Sequence, residues 1–148
     1  MMQSKSSRFN PVKQLAEDRA KTATEAMVSA RNELQGHRDK LSDLMQYRND
    51  YQEQFQSKAR SGINAGQLQQ YQQFISQLDK AIEQQQFQVQ QSKATLEQKQ
   101  SHWQDKNSHK KAINKAVDKL KQQEQHKENK REQHELDEHN IQAHIRKP

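Results

Sequence analysis

Apolar residues follow a coiled-coil pattern through the first part of the chain. From Lys13, alternating steps of three and four residues reach Lys58 without a break in phase, and most positions on this path are apolar. A 3.5-residue repeat places these side chains on one stripe of a long helix that packs against another helix. The stripe passes through Lys13, Ala16, Ala20, Ala23, Met27, Ala30, Leu34, His37, Leu41, Leu44, Arg48, Tyr51, Phe55 and Lys58.

A second stripe with the same spacing begins at Leu68 and stays largely apolar as far as Leu120. Its next positions, between 124 and 138, are all polar, and an apolar pair returns only at Ile141 and Ile145. The pattern predicts a second helix over about residues 67–120 that continues, or frays, to about residue 145. The end of this helix has no apolar stripe with which to pack.

The segment between the two stripes favours a reversal of the chain. Residues 60–66 read Arg-Ser-Gly-Ile-Asn-Ala-Gly and hold two of the three glycines of the protein. Asn64 and Gln67 have the spacing of a capping box, which begins a helix. Near the N-terminus, Asn10 followed by Pro11 predicts a helix start, so the first helix is expected over about residues 11–58.

These elements predict an all-α fold, a long antiparallel two-helix coiled-coil hairpin with an overhanging C-terminal helix, formed by residues 1–148 as a single domain. A turn near residues 62 and 63 pairs positions whose numbers sum to about 125. Tyr51 then faces Phe74, and Trp103 lies against the small residues Thr22 and Ala23. The same rule places Tyr47 opposite Leu78 and Leu44 opposite Ala81.

Composition supports long solvated helices and narrows the range of functions. Of 148 residues, 29% are hydrophobic and 30% charged, with no cysteine, and the mean hydropathy is -1.46. No run of apolar residues is long enough for a membrane span or a secretory signal, so a cytoplasmic protein is expected. No catalytic, cofactor-binding or metal-binding residue is predicted, and the histidines of the last third lack the i to i+4 spacing of a helical zinc pair. An enzyme is therefore not expected.

The net charge of +6 and the sequence pI of about 9.5 raise the possibility of nucleic-acid binding. Acidic residues are interspersed among the basic ones of the C-terminal region, which is more typical of a solvated helix face. A basic helical nucleic-acid-associated protein therefore remains an alternative. A self-associating structural coiled coil is another.

Apolar residues beyond the stripes concentrate near the turn. Phe74, Leu78, Ala81 and Gln85 lie on one helical face, although Phe74 and Ala81 are outside the heptad stripe. On the first helix, Leu44, Tyr47 and Tyr51 form a similar row. Either the core is locally thicker under the turn, or these seven residues form a surface for a partner protein. The second interpretation is preferred.

The same residues carry a resemblance to a known family. Leu44-Met-Gln-Tyr47-Arg-Asn-Asp-Tyr51, Gly62-Ile63 and the run from Leu68 to Gln85 resemble the signature of the FliJ family, small coiled-coil components of the flagellar type III export apparatus. The resemblance implies a cytoplasmic protein, peripheral at the inner membrane of the flagellar base and needed for flagellum assembly and motility. Its implied partners are the hexameric export ATPase, the cytoplasmic domain of the export gate protein and the flagellar export chaperones.

The resemblance also implies roles for particular residues. The family's gate-contacting surface maps onto Phe74, Leu78, Ala81 and Gln85, accompanied by Leu44, Tyr47 and Tyr51. A histidine commonly occupies the position of Gln85, so this chain keeps a hydrogen-bonding group there but loses a titratable one. Contact with the ATPase is attributed in the family to the terminal portions of the helices, here the start of the first helix and the region after about residue 115.

Overall fold

The computed structural model describes residues 4–146, and two long helices dominate it. A short helix α1 spans Lys5–Arg8, α2 spans Asn10–Arg60, and α3 spans Ala65–Arg146. The long helices pack against each other as a helical hairpin, and the described residues include no strand. The predicted all-α hairpin fold is confirmed. With 82 residues, α3 is much longer than the 51-residue α2.

The first helical segment begins earlier than the sequence pattern indicated. The Ser4 side chain caps α1 by accepting a hydrogen bond from the backbone N–H of Ser7. Phe9, between α1 and α2, already has helical dihedral angles, and its carbonyl accepts from the N–H of Lys13 at 2.8 Å. Helix α2 begins at Asn10 itself, whereas an N-cap residue precedes the first helical residue. Asn10 is therefore the first residue of α2 and not its cap.

The turn between the long helices uses the predicted residues. Gly62 has a φ of 95°, in the left-handed region that glycine adopts without steric cost. Its N–H donates to the carbonyl of Ala59 at 3.2 Å and closes the end of α2. The capping box at the start of α3 is confirmed, because the Gln67 N–H donates to Asn64 Oδ1 at 2.8 Å and the Asn64 N–H donates to Gln67 Oε1 at 3.2 Å.

The chain divides into two compact units, one of which comprises residues 23–103 and contains the turn. Small and branched apolar residues form its core, and Ala23 is only 3% exposed. Close packing at alanine allows a larger side chain to fit on the facing helix. The indole N–H of Trp103 donates to the hydroxyl of Thr24 at 2.9 Å, one residue beyond the predicted neighbour Ala23. The buried apolar residues of this unit are Ala23, Ala30, Leu34, Leu78 and Ile82.

The other unit, which we call the terminal unit, combines residues 1–22 with residues 104–148. The structure describes its residues 4–22 and 104–146. Ala16, Ala20 and Val117 are buried in it. Ser6 is also buried and hydrogen-bonds to Glu124. Beyond this contact, every residue from 125 to 145 is exposed while remaining helical. The polar end of the second stripe therefore corresponds to a solvated helix.

Candidate functional site

Four aromatic side chains near the turn stack across the two helices. The rings of Phe55 and Tyr71 lie 3.7 Å apart between centroids, and those of Tyr51 and Tyr71 lie 5.6 Å apart. Tyr51 also contacts Phe74 at 4.4 Å, which confirms the predicted pairing of these two residues. Each such ring pair adds to the hydrophobic stabilisation of the hairpin.

A fifth ring extends this cluster toward solvent. Tyr47 meets Phe74 edge to face, with ring centroids 6.0 Å apart and an interplanar angle of 80°. Tyr47 nevertheless remains 51% exposed. Tyr47 therefore contacts the cluster through Phe74 while about half of its surface faces water.

The seven residues predicted as a partner surface differ widely in exposure, and we refer to them together as the docking face. Leu78 and Gln85 are buried, at 8% and 5% exposure. The other members of the docking face are accessible to different degrees: Leu44, Tyr51, Phe74 and Ala81 are half-buried, and Tyr47 is exposed. Five of the seven residues are therefore accessible to solvent, and Leu78 and Gln85 are not.

Gln85 has an internal role that the sequence pattern did not reveal. Its amide nitrogen donates to the backbone carbonyl of His37 at 2.9 Å and lies 3.2 Å from His37 Nδ1. A carbonyl oxygen only accepts, so this contact fixes the nitrogen of the amide toward His37. The buried amide therefore joins α3 to α2 within the docking face.

An ion pair borders the docking face and was also missed from the sequence. The Arg48 guanidinium donates to both carboxylate oxygens of Asp79 across the hairpin. This hydrogen bonding with Asp79, with its negative charge, raises the pKa of Arg48 above its ordinary value. The sequence did contain a signal for this ion pair. Arg48 interrupts the apolar stripe, and the pairing rule centred on the turn places Arg48 close to Asp79.

A groove of about 710 Å³ adjoins the docking face between α2 and α3. It shares Leu44, Ala81 and Gln85 with the docking face, and His37, Lys40 and Phe87 also line it. Phe87 is 59% exposed. The groove is thus a mixed apolar and polar depression next to the aromatic cluster.

The terminal unit carries its own exposed apolar residues. Phe9, Val12 and Leu15 near the start of α2 are between 42% and 50% exposed. Leu136, Ile141 and Ile145 on α3 are between 58% and 75% exposed. These two groups lie in the segments that the resemblance assigned to ATPase contact.

Residues 4–146 show neither a metal-binding cluster nor a membrane span. Within that range, no group of three or more His, Cys, Asp or Glu side chains has the arrangement of a metal site. None of the helices described there combines the length and apolar character required to cross a bilayer.

Two long helices packed as a hairpin, with a half-exposed aromatic row near the turn, define the chain as a coiled-coil hairpin protein. The chain belongs to the FliJ family, because the family model described as "Flagellar FliJ protein" matches residues 4–148. The family identifies it as a component of flagellar protein export.

Two curated relatives agree with this assignment. A flagellar FliJ protein of Salmonella typhi is 29% identical over 137 residues, which cover 93% of each chain. A flagellar FliJ protein of Escherichia coli strain K12 is 28% identical over 137 residues, again covering 93% of each chain. No solved structure shows significant similarity to this chain.

Proposed function

We propose that this export component acts as a stalk-like coiled coil that binds the export ATPase ring and the cytoplasmic domain of the export gate protein. In this role it promotes assembly of the ATPase and escorts flagellar export chaperones. It works in the cytoplasm, peripherally at the inner membrane of the flagellar base. The half-exposed aromatic cluster of the docking face is the observation that carries the proposal.

The docking face has the properties that a binding surface for the gate requires. Tyrosine and phenylalanine bury large areas while losing little side-chain entropy, and they dominate the energetics of many interfaces. Tyr47 and Phe74 are held by ring contacts before any partner arrives. Pre-organisation of this kind lowers the entropic cost of association.

Tyr47→Ala tests the gate contact. The substitution should disturb the fold little, because about half of the Tyr47 surface is exposed to solvent. Titration calorimetry with the purified cytoplasmic domain of the gate protein should show at least about tenfold weaker binding than wild type. Met45→Ala is the matched control, since Met45 is 43% exposed on a different face of α2. Equal affinities of wild type and Tyr47→Ala would remove the docking face from the gate interface, and absence of wild-type binding would refute the gate partnership.

The proposed ATPase contact rests on the terminal unit. Residues 125–145 form a helix whose side chains are all exposed, including Leu136, Ile141 and Ile145. A helix end of this kind gains little from tertiary packing within its own chain and is available to a partner.

Removal of residues 125–148 tests this contact, because the deletion begins after Glu124 and leaves the described buried side chains in place. The truncated protein should keep its affinity for the gate domain and lose its ability to promote ATPase hexamers, measured by sedimentation velocity. Full promotion of hexamers by the truncated protein would refute a role for this segment.

Chaperone escort is proposed from the resemblance, with the docking face as the binding surface. Co-purification of tagged protein with flagellar export chaperones should fall for Tyr47→Ala and persist for Met45→Ala. Undiminished chaperone recovery with Tyr47→Ala would place chaperone binding elsewhere on the chain.

A further inference from the structure

The helices of the two compact units are held together to different degrees. In the unit formed by residues 23–103, two leucines and an isoleucine are buried, and aromatic rings stack across the helices. In the terminal unit, the described buried apolar residues are Ala16, Ala20 and Val117. An alanine side chain removes much less apolar area from water than a leucine side chain. Hydrophobic burial therefore stabilises the terminal unit less.

Lysines occupy several positions of the packed stripes in the terminal unit. Lys13 on α2 and Lys106 and Lys110 on α3 are half-buried members of the heptad stripes. A charged group at such a position lowers the stability of a coiled coil, because packing removes part of its hydration. These three lysines therefore weaken the attachment of the first residues of α2 to α3.

Asn114 adds a further cost to the packed state of the terminal unit. Among residues 4–146, Oδ1 of this side chain is buried without a hydrogen-bond partner. A buried acceptor without a partner has lost its hydrogen bonds to water and destabilises the structure that buries it. Separation of the two helices would return this oxygen to water, so Asn114 favours separation.

The contact between Ser6 and Glu124 opposes this separation. The backbone N–H and the hydroxyl of Ser6 both donate to the carboxylate of Glu124. Hydrogen bonds to a carboxylate are stronger than those between neutral groups. Residues 4–22 cannot leave α3 without breaking both bonds, so this contact holds the N-terminal segment on α3.

We propose that residues 4–22 form a detachable strap, which separates from residues 104–124 of α3 as one unit while residues 23–103 stay packed. The hydrogen bonds between Ser6 and Glu124 keep the strap closed, and the unpaired amide oxygen of Asn114 favours its opening. The opened strap loses its helical structure, because a helix of this length is marginal in water without packing. Opening also uncovers the part of α3 around Val117. This inference does not depend on the proposed function.

Native-state hydrogen exchange of the full-length chain tests for a separate opening. After correction for intrinsic rates, the backbone amides of residues 10–22 and 104–120 should exchange through a common opening. This exchange should be at least about tenfold faster than that of residues 78–96, which open only when the whole hairpin unfolds. Equal protection of all three segments would mean that the hairpin opens as a single unit and would overturn the proposal.

Tyr51→Ala distinguishes the strap from a hairpin that unfolds all at once. Tyr51 stacks on Tyr71 and contacts Phe74, so its loss weakens the unit that contains the turn. Exchange should become faster for residues 68–82 and remain unchanged in the strap, because the strap opens without disturbing these rings. Faster exchange of the strap in Tyr51→Ala would overturn its independence.

Substitutions of Asn114 and Glu124 test the two groups that set the opening equilibrium. Asn114→Leu removes the unpaired oxygen and should slow exchange of the strap at least about fivefold. Asn114→Ala is a second variant that introduces no additional bulk, and Asn140→Leu is the control at an exposed position. Glu124→Gln should speed exchange throughout residues 10–22.

These variants also give the results that would overturn the assignments. If neither variant of Asn114 slows exchange of the strap, or if Asn140→Leu slows it equally, Asn114 has no part in the opening. If Glu124→Gln leaves exchange of residues 10–22 unchanged, the contact with Ser6 does not hold the strap closed. Circular dichroism verifies that each variant keeps its helical structure.

Discussion

Ser6 and Glu124, separated by 118 residues in sequence, form a two-pronged hydrogen-bonded clamp. The Ser6 N–H donates to one carboxylate oxygen at 2.9 Å, and the Ser6 hydroxyl donates to the other at 2.6 Å. Glu124 thus satisfies a backbone N–H at the start of α1, which has no partner within its own helix. This clamp attaches the N-terminal segment to α3 at the last turn before the fully exposed region.

Breaking the clamp should release the N-terminal segment. In Ser6→Ala, the hydroxyl bond is lost, and in Glu124→Gln the acceptor loses its charge, which weakens both hydrogen bonds. Hydrogen exchange should become faster for the backbone amides of residues 5–9 in either variant. The matched control is Glu128→Gln, one turn further along α3, where Glu128 pairs only with its helical neighbour Arg131 among the described ion pairs. Unchanged exchange in both clamp variants would show that other contacts hold this segment.

The clamp should also make part of the stability depend on pH. The hydrogen bond from the Ser6 hydroxyl, followed by that from the Ser6 N–H, lowers the pKa of Glu124 from its ordinary value of 4.5. Since the folded-state pKa is the lower one, this stabilisation is present above about pH 4.5 and is lost as the pH falls through the folded-state pKa.

Thermal melts of wild type and Glu124→Gln provide the measurement for this pH effect. Wild type should melt at a higher temperature near neutral pH, and the difference should narrow as the pH falls below about 4.5 and through the lowered pKa of Glu124, because the glutamate then becomes protonated. A difference of constant size across this range would mean that ionisation of Glu124 contributes nothing to stability.

Replacement by alanine should change the free energy of unfolding in opposite directions at two glycines that differ in conformation. Gly62 has a φ of 95° and open space where a β-carbon would lie, so Gly62→Ala should cost roughly 1 kcal/mol of unfolding free energy through backbone strain alone. Gly36 lies within α2, also with open space around it, so Gly36→Ala should stabilise by up to about 1 kcal/mol. Urea denaturation checks both values, and stabilisation by Gly62→Ala would contradict the turn geometry.

Ring contacts predict an order of stability losses among the tyrosines. Tyr51 contacts both Tyr71 and Phe74 and is half-buried, whereas Tyr47 contacts only Phe74 among the described rings. Tyr51→Ala should lower the free energy of unfolding by about 2 kcal/mol, and Tyr47→Ala by about 1 kcal/mol or less. Urea denaturation measures both, and a larger loss for Tyr47→Ala would contradict this account of the aromatic cluster.

The internal bonding of Gln85 shows where sequence reasoning reached its limit. The sequence spacing predicted the position of Gln85 on a helical stripe, and this stripe does lie against the other helix of the hairpin. Whether its amide faced a partner or its own neighbour depended on the rotamer and on the position of the His37 carbonyl. Spacing along a helix specifies neither the rotamer of Gln85 nor the position of the His37 carbonyl.

The sequence by itself determined the two long helices, the turn at Gly62, the capping box of Asn64 and Gln67, and the contact between Tyr51 and Phe74. Each follows from a local rule, because heptad spacing fixes the packed stripe and the position of the turn fixes the approximate pairing. Tertiary structure decided the Ser6–Glu124 clamp, the Arg48–Asp79 ion pair, the burial of Gln85 and the groove beside Phe87. These features depend on the axial register of two helices and on individual rotamers, which only the packed hairpin specifies.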